Sequence, residues 1–432
     1  VLSNGRPTPQ VMIQLPSLDT RTGSRLFRRQ DGTDRASTHS AAERLGGDDD
    51  LSVGLLADTL EYARTRDYTG YDYFDGMSSR LLQSLPVDNQ WLNLVVQEGI
   101  KRAPVNVRPL FLVEQRQSFK GTALFAMANL TAYELTADER YLDEATSLAD
   151  WLIDNQSEGY SGFCGGHRHA MQQLDELRPA ETPNVIPTSY AVKALLRLAV
   201  HDERYAEVAR TAADFLVEDL RYTDLDGGAR IVYQPHYTGE FYTLNGGAIG
   251  ARLLVDLYDY FGDEEYRERA AALLDYLATK QTDLGGWMYR DPPSASHLSM
   301  DNHHNGFIVE SYLHYHEVTG ETRYEETLAK ALSFYRDVLF DPNGAPNWDE
   351  SHSFPRDIHA VAQGILVFTK AGETAFARRI LDWALANLYA GSGQFYYQRR
   401  RFYTKRFTLM RWCQAWMAYA IAEYLAATTE GD

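Results

Sequence analysis

Cysteine is almost missing from this chain. Cys164 and Cys413 are the whole complement, too few for a disulfide framework and in keeping with a reducing compartment. Lysine is nearly as scarce, standing only at positions 101, 120, 193, 280, 330, 370 and 405, so arginine carries most of the positive charge in a chain of net charge −18. An acidic, lysine-poor, Asp-rich composition is the pattern of a salt-adapted protein and points to a haloarchaeal source. The alternative is an ordinary acidic cytosolic enzyme. A duplex nucleic acid partner is disfavoured, because no basic stripe is present to release counterions. No apolar run reaches bilayer-spanning length and the first residues show no signal-peptide core, so there is no transmembrane segment to expect. The expected location is the cytoplasm.

What the chain does have is one recurring phrase. Asp138-Glu139-Arg140-Tyr141 returns as Asp202-Glu203-Arg204-Tyr205, as Asp263-Glu264-Glu265-Tyr266 and as Glu321-Thr322-Arg323-Tyr324. It closes more loosely with Glu373-Thr374-Ala375-Phe376. Each copy opens an amphipathic helical run, and its acidic residues suit the positive end of the helix dipole. A more apolar helical stretch precedes each copy across a tight polar turn. The unit is a helical hairpin repeated roughly every 50 to 65 residues, a period that signals a toroid or solenoid.

Apolar helices are predicted near 119–136, 186–200, 243–260, 303–318, 357–370 and 407–427. Amphipathic ones are predicted near 138–155, 202–220, 263–280, 321–339 and 373–389. Six against five leaves one outer helix to be supplied by 51–66 or 89–102. Helices apolar all round belong inside and those with one apolar face outside. The expected fold is all-α, an (α/α)6 barrel: one toroid domain over 51–432, with residues 1–50 as a flexible or surface-wrapping arm.

Turns from inner to outer helices are short. The return loops 156–185, 221–242, 281–302, 340–356 and 390–406 are long, and long loops in a compact domain tend to carry function. All emerge where the inner helices have their N-termini, so that mouth should favour an anionic group. The loops and helix starts there are rich in aromatic, imidazole, carboxylate and arginine groups, a mixture suited to a saccharide. Candidate substrate contacts are His167, Tyr190, His236, Asn245, Trp287, Trp348, Arg356, Arg411, Trp412 and Gln414, with Asp72 and Arg108. Arg108 and Lys120 are also read as ties between the N-terminal segment and the barrel.

Two resemblances are carried by different sets of motifs. Tyr68-Thr69-Gly70-Tyr71-Asp72, Asp75-Gly76, Lys101 to Pro109, Gly159-Tyr160-Ser161-Gly162 and Phe354 to Gln363 resemble a family of prokaryotic six-hairpin proteins found with polysaccharide-assembly genes. That resemblance covers the chain from about residue 60 and implies the barrel and a glycan substrate. Asn305-Gly306-Phe307 and Arg356-Asp357-x-His359 are distantly similar to the C-terminal domain of glucuronyl C5-epimerases, which implies proton transfer beside a sugar carboxylate.

For such epimerase-like or lyase-like proton abstraction, His304 and His359 are the candidate base and acid. Tyr237 or Tyr289 would be the partner, with Arg356, Arg411 or Asn245 on the substrate carboxylate. Glycoside hydrolysis would instead use the carboxylates Asp301 and Asp357, with Asp72 or Asp75 in reserve. Isomerisation of a free sugar by paired histidines is a third reaction, and a non-catalytic glycan-binding scaffold a further alternative. Asp301 and Asp357 also stand where helix N-caps stand. His303-His304 and His167-x-His169 could hold a metal, but no third ligand has diagnostic spacing, so neither metal nor cofactor is expected.

Overall fold

The computed structural model describes residues 49–429 except 87–88, 174–176 and 238; the arm expected over 1–48 lies outside the described residues. The helices run in chain order α1 (Asp49–Arg64), α2 (Arg80–Gln83), α3 (Gln90–Arg102), α4 (Phe119–Thr136), α5 (Glu139–Asp154) and α6 (Val185–Leu198). Then come α7 (Arg204–Arg210), α8 (Ala212–Asp214), α9 (Leu244–Phe261), α10 (Glu264–Ala278), α11 (Asn302–Thr319) and α12 (Glu325–Asp337). The last are α13 (Ile358–Lys370), α14 (Thr374–Asn387) and α15 (Trp416–Thr429). A π-helical turn, Met410–Ala415, leads into α15.

The apolar helices close a ring. α4 packs on α6, α6 on α9, α9 on α11, α11 on α13, α13 on α15, and α15 returns to α4. Their composition demands this position, since every residue of α6 and nearly every one of α13 is buried. Outside them lie α5, α7 with α8, α10, α12 and α14, and α1 fills the sixth outer place against α15 and α4. The fold is an (α/α)6 barrel. Of the two segments that could have completed it, α1 does so. α3 instead packs against residues 76–78 and 171–172, in a cap formed by residues 68–117.

The repeated phrase has a local physical job. Asp138 and Asp263 cap their helices by accepting the Arg140 and Glu265 amides, satisfying donors that the first turn leaves orphaned. Left-handed residues at Ala137, Gly262 and Gly320 turn the preceding inner helices back, the usual αL ending. The arginine and tyrosine then grip the previous outer helix. Tyr205 donates to Asp150 at 2.7 Å and Arg204 pairs with the same carboxylate. Tyr324 donates to Asp275 at 2.8 Å, and Arg323 joins it at 2.7 Å. These two copies thereby register one hairpin against the next.

The barrel axis is filled by charge as well as hydrocarbon. Arg252 of α9 lies 3.1 Å from Glu310 of α11, which also accepts from Gln363 of α13 at 2.8 Å. His314 meets Asp256 at 2.7 Å and Lys193 donates to Tyr419 at 2.7 Å. Buried charges persist only when paired, and these pairs form the floor beneath the mouth. Gly306 allows the close approach of α11 to α13, because a Cβ there would stand 2.4 Å from Gln363 Cγ.

Candidate functional site

Inner helices begin at the mouth, so residues two or three places past each N-cap point chemistry toward a common centre. Asp301 caps α11 by accepting the His304 amide at 3.3 Å, and Asp357 caps α13 by accepting the His359 amide at 2.9 Å. The rings that follow them meet. His303 lies against His304 with centroids 3.9 Å apart and stacks on His359 at 4.6 Å. Trp412, in the turn before α15, stands edge-on to His359 at 4.5 Å, with Trp416 at 4.4 Å on another side. Tyr289 covers His304 at 4.5 Å. Four separate segments of chain build this cluster.

Its hydrogen bonds distinguish the members. His304 Nδ1 lies 2.9 Å from both Asp301 oxygens. Assigning the proton to Nδ1 on that network leaves Nε2 with the basic lone pair. His303 Nδ1 lies 3.3 Å from the same carboxylate. Asp357 is the acceptor of three donors, the His359 amide, Trp412 Nε1 at 2.8 Å and Gln398 Nε2 at 2.9 Å. His359 is different. It is 1% exposed, and neither ring nitrogen has a hydrogen-bond partner.

Burial sets the protonation states. It pushes the Asp357 carboxyl up to about 6 against the pull of its donors. For Asp301, burial works in the same direction, but the charges of His304 and His303 win and hold it below the usual carboxylate range. Burial, followed by repulsion from His304, drives His303 down to about 3. Burial, then His303 and Lys120, holds His359 well below its ordinary value. Tyr289 is held above the usual phenol range by burial.

A pH experiment follows from the sign of these shifts. His303 is neutral when folded at mildly acidic pH, whereas the unfolded chain protonates it below about 6.5. Its contribution to stability is therefore complete above that pH and is lost as pH falls from about 6.5 toward the folded value, at order 1 kcal/mol per unit. Asp357 acts oppositely between about pH 4 and 6, so a variant must be compared with wild type. His303→Gln should melt with a shallower acid limb; parallel melting curves would remove His303 as a source of the slope.

A cap of residues 68–117 closes over the cluster. Tyr73 stacks on Trp412 at 4.3 Å. Arg411 binds both oxygens of Asp72, at 2.8 and 2.5 Å. Arg108 reaches Asp75 at 2.7 Å and the Asp72 carbonyl at 2.9 Å. Arg411, expected on the substrate, is thus satisfied by a protein carboxylate and bolts the cap to the barrel, whereas Arg108 binds residues of the cap itself. Among the described residues Lys120 makes no hydrogen bond or ion pair to the cap. It is buried with its Nζ 5.3 Å from the Trp416 ring, and burial, then Arg411, depresses its pKa strongly.

The other expected residues divide by position. Phe74, Lys101, Tyr233, Tyr237, Tyr289 and Arg290 help to enclose a cavity of about 310 Å³ at the mouth, where His167 also lies. Two larger grooves, of about 630 and 710 Å³, lie elsewhere. One is among outer-helix residues 336–342 and 372–379, and the other, bounded by residues 154–160 and 178–182, takes in His236. His236 therefore faces a different space from Tyr237. Trp287 is core: its indole donates to Leu277 and stacks on Tyr312. Gln414 bridges Phe395 and Gly393. Arg356 pairs with Asp341 at 2.6 Å and lies against Trp383. Trp348 accepts the Asn302 amide through its carbonyl. Tyr190 and Asn245 are buried inner-helix residues, with the Tyr190 hydroxyl and Asn245 Oδ1 unpartnered. Lys120, Tyr73 and Trp416 join the centre without having been singled out for it. The sequence signal for Lys120 was a lone cation on an otherwise apolar helix.

Asp301, His303 and His304 each offer a ligand atom, all within 4.8 Å of one another, and among the described residues this is the group that could hold a metal. The same atoms already satisfy one another as a carboxylate holding imidazole N–H groups.

No protein-family model and no curated protein matches this sequence. Solved structures do match its fold. An unsaturated glucuronyl hydrolase specific for heparin aligns with TM-score 0.59 and 14% identity over 89% of this chain and 98% of that one. A D-mannose isomerase aligns at 0.57 and 10%, over 72% and 87% of the two chains. A cellobiose 2-epimerase from Bacillus thermoamylovorans aligns at 0.54 and 13%, over 72% and 88%. At these identities the likeness is one of architecture.

Proposed function

We propose that the chain is a carbohydrate epimerase or isomerase that moves a proton at a sugar carbon acidified by a neighbouring carboxylate or carbonyl. The observation that carries this reading is the row of three imidazoles at the barrel mouth. His304 is oriented by Asp301 and has a lone pair to accept a proton, while His359 is buried with both nitrogens uncommitted. Proton transfer needs a base on one side of the carbon and a donor on the other, and an imidazole serves as base through its free lone pair and as donor once protonated. Tyr289, against His304, can hold the developing oxyanion by donating its phenol proton in a hydrogen bond. The match to an isomerase and an epimerase of the same fold supports this choice.

The carboxylate pair that hydrolysis would use is already engaged. Asp301 serves two imidazoles and Asp357 three donors. One fact keeps a glycoside hydrolase or lyase as the second reading: a carboxyl raised to about 6, as Asp357 is, is what a general acid requires. A glucuronyl hydrolase also shares the fold.

Incubation with uronic acids and neutral aldoses in heavy water separates these reactions. Epimerisation or isomerisation places deuterium on one sugar carbon. A new reducing end without carbon-bound label, or an unsaturated product absorbing in the near ultraviolet, would replace this reading with hydrolysis or lyase cleavage.

A further inference from the structure

Among the described residues that line it, the cavity at the mouth has a charge opposite to that of the protein. The chain carries 60 acidic against 42 basic residues, yet the charged groups described in this lining are Lys101, Arg178 and Arg290 against one acid, Glu98. Glu98 is already bound by Lys101 at 3.3 Å and Arg102 at 3.1 Å. Arg290 is the distinctive member. Its guanidinium carbon lies 3.6 Å from the Phe241 ring centroid, its Nη1 donates to the Ala295 carbonyl, and its Nε is buried without a partner. It makes no ion pair among the described residues, whereas its neighbour Asp291 is taken by Lys280 at 3.2 Å.

A guanidinium held against an aromatic ring has its outer edge restrained, which favours an oxyanion there. Here that edge belongs to the wall containing Tyr289, whose ring touches His304. Arg178 pairs in strand register with Met171 on the same wall, and Lys101 closes it from the cap. With Lys101 set against Glu98, Arg290 still makes no ion pair among the described residues, and a neutral ligand would gain nothing from that charge. The cationic wall also attracts anions that the rest of the surface repels.

We propose that this wall is an anion subsite in which Arg290, supported by Arg178 and Lys101, takes the negatively charged substituent of a saccharide. The inference rests on the carbohydrate reading and extends it from sugars in general to acidic ones. It also moves the anion-recognising role from Arg411 and Arg356, which are paired with Asp72 and Asp341, to Arg290.

Calorimetric titration of the full chain with D-glucuronic acid, glucose 6-sulfate and glucose tests it. An acidic sugar should bind about 10- to 100-fold tighter than glucose, the range that charge-assisted hydrogen bonds supply. Carboxylate and sulfate arms identify which oxyanion fits. In Arg290→Gln the ratio of acidic to neutral affinity should fall toward one, and Arg290→Lys should retain part of it. Melting curves would confirm that both variants fold, and Lys101→Met gives a second variant should Arg290→Gln fail to do so. An equal affinity of wild type for glucose and the acidic sugars, or an undiminished preference in folded Arg290→Gln, overturns the subsite while leaving the carbohydrate reading intact. Binding of no saccharide at all overturns both.

Discussion

Replacing His359 with Phe should lower turnover about 10²- to 10⁴-fold, the usual contribution of a positioned acid or base, while leaving the protein at least as stable. The two halves of this expectation come from one observation. An imidazole that is 1% exposed, with both nitrogens unpartnered, incurs a desolvation cost without compensating hydrogen bonds, about 1–3 kcal/mol for each unsatisfied group. A phenyl ring of similar shape could keep the contacts with His303, Trp412 and Trp416 and remove that cost. A residue that destabilises the fold where it stands is best explained by chemistry that needs it there. Turnover would be followed by solvent deuterium uptake, and stability by calorimetry. Wild-type activity in the variant, or melting lowered by many degrees, would return His359 to the role of a core histidine.

Arg411→Ala should be the most destabilising single exchange at the mouth. Arg411 and Asp72 form a buried pair with two short contacts, and removal of one partner strands the other charge, at about 3–5 kcal/mol. The loss should concentrate on the cap, because Asp72 sits beside Tyr73 on Trp412 and accepts Arg108 through its carbonyl. Proteolysis should then cut first within residues 68–117, and activity should fall through disordering of the cap. Asp72→Asn should behave alike, and the double variant Asp72→Asn, Arg411→Met should cost less than the sum. Normal melting and protease resistance in Arg411→Ala, together with weaker binding of acidic sugars, would restore the direct substrate role.

Helix placement was legible because it depends on neighbours in sequence. The six apolar stretches coincide with the inner helices to within a few residues, and even the missing outer helix had been narrowed to two segments. What chose α1 over α3 was packing: α1 has a face that fits α15 and α4. The outer helix expected at 202–220 is broken into α7, α8 and a π-turn, a departure that the apolar spacing did not show. At the mouth, Asp301, His304, Asp357 and His359 lie together as expected, because helix starts are readable and the topology sends them to one rim. Arg411 and Trp287 were misassigned for a shared reason. A polar or aromatic group at a helix start looks the same in sequence whether it faces a ligand or another side chain.

Periodicity, capping residues and loop lengths by themselves determined a closed ring of six helical hairpins and the end at which its polar residues gather, because each depends on interactions spanning a few residues. Which of those residues remain available was decided by contacts between positions far apart in sequence, 41 to 339 residues in the cases here. Asp72 takes Arg411 out of play, Gln398 and Trp412 take up Asp357, and no partner reaches His359. Pairing across such separations is a matter of distance in space, and only the tertiary structure supplies it.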